Sequence, residues 1–458
     1  MKNILWLYFL MIMTPICLNG TSAFAQDNLA SFEQEVKEQK KALEEQARKL
    51  EELESRLNTA GSMKITADKG SAARSPENWA MRDAVGDLNA HAVSEGEFPG
   101  SIMIPGTQKV SLAVGGFIKT VAIGDSDIEG TGPIFLPAYI GVARPDTEGS
   151  TSLDASLSRV FLDARAPSPN GGVRGYLEVD LNNTNNGSLD FQVRHAYGLW
   201  RTDAGTLTVG HTWSTAMDLG VLPEGLTEPT VSGAIFQRQA LLRWSQKLTG
   251  LLKYDIALED CTSSDATING PWRASTRLPD LIGAAEWDWG QEGHIRATGL
   301  FRDLRVTNDS GHSESAAAWG ISLSGHIKIG ENDKLAAGAC FGEGAGRYLL
   351  GTPSGYSGFI DTSSGELDLL KSTGAFASYR HPWTSRLRST AAYGMAWVED
   401  ASWQAADAFD STGFGLINLM WSPFKYVTMG VEFQYGERET KDGASRDNSR
   451  VIFGVQIF

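Results

Sequence analysis

The sequence predicts an all-β fold: a 16-stranded antiparallel transmembrane β-barrel with an N-terminal periplasmic coiled-coil helix. Three observations carry this expectation. From Val110 onward, apolar and polar residues alternate with period two over segments of about ten residues, the length of a tilted strand with lipid on one face and water on the other. The connections between these segments alternate between short turns and long loops. Beyond Leu18 no apolar run approaches the roughly 20 residues that a membrane helix needs.

Composition narrows the class further. The 458 residues are 41% hydrophobic and 21% charged, enough apolar material to fold. Fifty glycines against three cysteines exclude a disulfide scaffold and a cysteine-rich zinc protein. A net charge of −15 argues against nucleic acid as a partner.

Residues 1–25 read as an export signal: Lys2, an apolar run from Ile4 to Leu18, then Ala23-Phe24-Ala25 as a cleavage site. Cleavage would leave only Cys261 and Cys340, on separate elements, so no disulfide is expected. An exported chain this poor in cysteine fits the envelope of a Gram-negative bacterium. Residues 26–60 carry Leu29, Val36, Leu43, Leu50 and Leu57 every seven residues, a helical seam that must be covered by copies of itself. Gln39 and Gln46 interrupt its companion positions and weaken it. Residues 61–108, where neither helical nor strand period persists, read as a linker.

The barrel is expected over 109–458. Its strands fall near 110–123, 156–166, 172–182, 190–200, 204–212, 236–247, 250–259 and 279–289. The second half follows at 293–304, 315–328, 334–343, 371–381, 386–397, 411–422, 425–436 and 448–458. Long loops are expected at 124–155, 213–235, 260–278, 344–370 and 398–410, and short turns elsewhere. A soluble sandwich has no reason to sort its loops by length in this way; a bacterial outer-membrane barrel does. In the last strand the apolar phase is Val451, Phe453, Val455 and Ile457, one step out of register with the terminal Phe458.

So many strands enclose a lumen too wide for side chains to fill, so the polar phase should line water. That phase holds Arg159, Arg165, Arg194, Arg243, Arg296, Arg302 and Arg388, with Asp163, Glu178, Asp180, Glu286 and Glu432 among them. Rings of arginine favour anions. The same residues serve equally well as mutually neutralising pairs that stiffen the wall. Arg194 and Arg243 stand out because their strands flank the third loop, 213–235, where Asp218, Glu224 and Glu228 accompany the stiffening Pro223 and Pro229. This loop is expected to fold inward as a constriction. Tyr197, Trp287, Trp289, Trp397 and Trp421 are expected at the lipid interface. His211 and Ser214 lie close in sequence, but a hydrolase also needs an orienting acid and an oxyanion hole. No metal-binding or phosphate-binding motif is present, so no cofactor is expected.

Several segments together resemble one family. Ser101-Ile102-Met103-Ile104-Pro105-Gly106-Thr107 and Val114-Gly115-Gly116-Phe117-Ile118-Lys119 resemble the approach to the first strand of DcaP-like trimeric outer-membrane porins. Ser158-Arg159-Val160-Phe161-Leu162-Asp163 and Tyr176-Leu177-Glu178-Val179-Asp180 fit their next strands. The most specific block joins Val193-Arg194-His195-Ala196-Tyr197-Gly198 to Val209-Gly210-His211-Thr212-Trp213-Ser214, Met217-Asp218 and Gln237-Arg238-Gln239-Ala240. His211 stands where the family often has Gln, and the stretch after Asp218 departs from its usual wording. The resemblance implies a homotrimer in the outer membrane, in contact with lipid and lipopolysaccharide, with the N-terminal segment in the periplasm. It also implies passive uptake of small, often anionic solutes such as dicarboxylates. The alternative is a plugged structural barrel that tethers a periplasmic partner through its coiled coil.

Overall fold

The computed structural model of this chain describes residues 95–458, apart from 105–106, 108, 128–131, 146–147, 186–187, 229, 261–265, 268–271, 276, 361–365 and 400–403. The expected signal segment, the coiled coil and most of the linker lie outside the described residues, as does Cys261.

Among the described residues, sixteen antiparallel strands form one closed sheet. They are β1 Ser111–Asp125, β2 Arg159–Ser168, β3 Gly171–Asn185, β4 Ser188–Arg201, β5 Thr206–Trp213, β6 Arg238–Lys247, β7 Leu252–Glu259 and β8 Asp280–Asp288. The ring continues with β9 Gly293–Asn308, β10 Ser313–Ile329, β11 Asp333–Glu343, β12 Lys371–Pro382, β13 Leu387–Val398, β14 Phe409–Phe424, β15 Val427–Thr440 and β16 Ser445–Ile457. Each strand pairs with the next, and β16 closes on β1 with Ile457 opposite Ile118. Closure leaves no sheet edge, the condition for placing strands in lipid.

Each of the expected strands is found. Two are interrupted. The first half of β1 pairs with β2, whereas its second half pairs with a separate segment, Ser150–Asp154. Likewise Trp272–Ser275 extends the line of β8 along β9. The last part of the expected linker is folded onto the barrel: Ile102–Met103 pairs with the start of β1, and the Phe98 ring lies 4.1 Å from the Arg165 guanidinium.

Alternation sets the two faces. Val431, Phe433, Val451 and Phe453 are exposed on the outside, while Glu432, Gln434 and Arg450 between them are buried on the inside. Trp287, Trp397 and Trp421 face outward as expected. Tyr197 does not. Opposite β3 the register runs from Glu178–His195 to Val179–Val193, so Arg194 is an extra residue in β4. This bulge turns both Arg194 and His195 inward and inverts the phase after them. Tyr197 therefore faces the lumen, where its hydroxyl accepts from Arg174 Nη1 at 3.1 Å.

All turns at one end of the barrel are short. At the other end, three long loops fold back inside. Phe135 of the first loop meets Phe414 edge-on at 5.9 Å. The sixth loop brings Tyr348 and Leu349 into the lumen, where Leu349 bridges to Ile235 of the third loop. The inward fold of the first and sixth loops has no periodicity to announce it in the sequence.

Candidate functional site in the barrel lumen

The third loop, 214–237, leaves β5 and follows the inner wall. Thr215 accepts from Arg296 of β9 through its carbonyl, at 2.8 Å. Asp218 Oδ2 then lies 2.7 Å from His294 Nε2 of β9 and accepts from Ser324 Oγ of β10 at 2.7 Å. Lys334 Nζ of β11 donates to the Gly220 carbonyl at 2.5 Å. Glu224 pairs with Arg380 of β12 at 2.9 Å and with Arg388 of β13 at 2.7 Å. The Leu226 amide donates to Glu432 of β15 at 2.8 Å. At the tip, Glu228 pairs with Arg159 of β2 and, at 3.1 Å, with Arg194 of β4.

The returning limb lies against the wall backbone itself. A Cβ on Gly374 would stand 2.7 Å from Gly233 Cα, so only glycine permits this approach. Apolar packing completes the anchorage. Leu226 is buried with Val121, Met420 and Ile452, and Val221 and Val231 with Phe376 and Phe414. Burial of one such side chain contributes about 1.5–3 kcal/mol, so the packed loop is a fixed part of the wall.

Burial raises the Asp218 carboxyl, but the hydrogen bonds from His294 and Ser324 outweigh it and leave the group below its ordinary value. Glu224 behaves alike: burial raises it, and Arg388 and Arg380 bring it below its ordinary value.

The seven arginines singled out in the sequence divide by environment. Arg194, Arg296 and Arg302 are buried. Arg194 is held by Glu178, Asp180 and Glu228; Arg296 by Asp255 and Glu286; Arg302 by Asp280. Arg159, Arg165 and Arg388 are less enclosed, and each is paired with a carboxylate. Arg243 is paired with none among the described residues; its Nη1 reaches only the Trp213 carbonyl, at 3.4 Å.

The same wall holds residues that sequence reasoning missed. Arg174 forks onto Asp163 at 2.9 and 3.0 Å while lying over the Tyr176 ring. Phe161, Tyr176, His195 and Tyr197 form a continuous aromatic patch across β2, β3 and β4. Arg238 was missed because it shares sequence parity with the exposed Ala240; its guanidinium stands 4.9 Å above the Trp213 ring. The His211–Ser214 pair is not assembled. Ser214 is buried and accepts from the Ala216 amide, whereas His211 pairs in register with the exposed Ala196.

The closed barrel that carries this inward third loop and arginine-bearing wall is an architecture that this chain shares with known proteins. The sequence profile of the DcaP outer membrane protein family matches residues 136–455. The chain belongs to that family. Its outer-membrane barrel is similar to the crystal structure of the outer membrane channel DcaP of Acinetobacter baumannii, with TM-score 0.66 and 22% identity over 76% of this chain and 97% of that one. An anion-selective porin from Comamonas acidovorans shares the fold at TM-score 0.52 and 12% identity, over 76% of this chain and 99% of that one. Salmonella typhi OmpF in complex with daunomycin does so at TM-score 0.52 and 12% identity, over 76% and 98%. No curated protein sequence matches this DcaP-family chain.

Proposed function

We propose that this DcaP-family protein is a trimeric diffusion porin that passes small hydrophilic anions, dicarboxylates among them, through one constricted channel per subunit. It catalyses no reaction and uses no cofactor. The export signal delivers it to the outer membrane, and the coiled coil of 26–60 holds the trimer from the periplasmic side. The observation that carries the reading is the cation content of the wall around the third loop, where Lys119, Arg238 and Arg243, paired with no carboxylate among the described residues, add to the loop-bound Arg159 and Arg194. Rings of such groups favour anions. The third loop, anchored from β9 round to β4, supplies the constriction.

The test is conductance and reversal potential of the purified protein in a planar bilayer under a potassium chloride gradient. Openings grouped in threes with an anion-favouring potential are expected. Potassium preference would overturn the anion reading and leave the porin. The inward packing of the first, third and sixth loops favours a second reading, a plugged structural barrel tethering a periplasmic partner. Silence from folded protein would select it.

A further inference from the structure

Charge pairing divides the lumen wall of β1–β6 into two kinds of cation. Asp163 is shared by Arg165 and Arg174. Glu178, Asp180 and Glu228 are shared by Arg159 and Arg194. These carboxylates are all engaged, and Lys119, Arg238 and Arg243 pair with no carboxylate among the described residues. Each of the three rests instead on an aromatic residue or its backbone. Lys119 Nζ lies 5.3 Å from the Phe117 ring centre. The Arg238 guanidinium lies over Trp213, with Nη1 buried and without a partner. Arg243 reaches the carbonyl of that same Trp213.

The physical difference is large. An ion pair presents a dipole, whose potential falls off faster with distance than that of a single charge, so the unpaired cations dominate the field in adjacent water. A ring beneath a guanidinium supports its flat face and leaves its N–H edge without an acceptor. That edge matches the two oxygens of a carboxylate or phosphate. Trp213 is itself held, its ring 5.5 Å from His195 and 5.0 Å from Phe236, so the seat of Arg238 is rigid.

We infer that Lys119, Arg238 and Arg243 are the residues that select permeating oxyanions, and that the carboxylate-bound arginines, Arg194 included, are wall. This rests on the anion-porin reading and narrows it. It places an outer station at Arg238 and Trp213, where β5 and β6 meet the third loop, and inner stations at Arg243 and Lys119.

The experiment compares reversal potentials of the wild-type protein, the triple variant Lys119→Gln/Arg238→Gln/Arg243→Gln and, as control, Arg386→Gln in the exposed short turn between β12 and β13. The chloride-over-potassium ratio of the triple variant is expected to fall about threefold or more, with the control unchanged. Arg238→Lys should retain most of the preference. Citrate, added as a trivalent probe, should interrupt the wild-type current and do so less in Arg238→Gln. An anion-selective wild type with an unaltered triple variant overturns this inference and leaves the porin reading intact. A potassium-selective wild type overturns both. Should the triple variant fail to fold, the three single variants carry the same test, and wild-type ratios in all of them overturn the inference.

Discussion

Asp218 and His294 tie the third loop to the turn end of the ninth strand, with Oδ2 and Nε2 2.7 Å apart. The contact lies deep in the barrel, since His294 is the second residue of β9, next to a short turn. The His326 ring approaches that of His294 edge-on at 4.6 Å, and Lys334 holds the next loop carbonyl.

This anchorage should be sensitive to acid. Asp218 and Glu224 both titrate below their ordinary values of 3.8 and 4.5 in the folded protein. A carboxyl depressed on folding contributes stability that is fully present above its ordinary value and is lost as pH falls through the depressed one. The loop is therefore expected to stay seated at pH 5 and to loosen progressively below about pH 4. Single-channel recordings between pH 3 and pH 6 should show closures or current noise rising only at the acid end. A transition centred above pH 5 would point away from these carboxylates.

Arg194→Met should damage the barrel more than the selectivity. The variant leaves the buried Asp180 without its cation, and Glu178 and Glu228 with Arg159 alone. Breaking a buried pair by removing one partner costs about 3–5 kcal/mol. The temperature at which folded protein loses its compact mobility in a gel should drop clearly. A variant as heat-resistant as wild type, with anion preference lost, would show Arg194 to be a selectivity residue instead.

Glu224→Gln releases two cations at once. Arg380 and Arg388 lose their common carboxylate, while Arg388 keeps the hydroxyl of Ser422 at 2.9 Å. Two newly unpaired charges should raise anion preference, by about twofold. Reversal potentials would read this directly, and a fall in preference would contradict it.

Gly394→Ala should lift the returning limb off the wall. A Cβ there would stand 2.7 Å from Phe376 Cβ and 2.9 Å from Val231 Cγ2. Such overpacking costs about 1–3 kcal/mol or displaces the loop toward the open lumen. Single-channel conductance is expected to fall while the barrel still inserts. Unchanged conductance with unchanged stability would mean the loop yields elsewhere.

The strands were legible because lipid on one face and water on the other impose alternation at every position, as along Val427–Thr440. The lumen was less so. Parity assigned Tyr197 to the outside because the extra residue at Arg194 leaves no mark in composition. Arg238 was overlooked by the same rule, since a strand's end is free to turn its side chain where the wall gives way to a loop. The third loop's inward fold was read from order and length, and its partners were not, because contacts such as Glu224 with Arg388 span 164 residues. Of the arginines, sequence identified the polar phase but not its pairing, which depends on which carboxylate each one meets across the ring.

The pairing of Ile118 with Ile457 has a kinetic consequence. It joins residues near the two ends of the sheet, so the separation along the chain is almost the whole barrel. Contacts that distant form late, after the entropy of closing the intervening chain has been overcome. Until Ser445–Ile457 is in place, β1 and β15 both offer bare backbone donors and acceptors that lipid cannot satisfy. The polypeptide must therefore be escorted as an open sheet, and zipping its final seam is the step that commits it to the membrane.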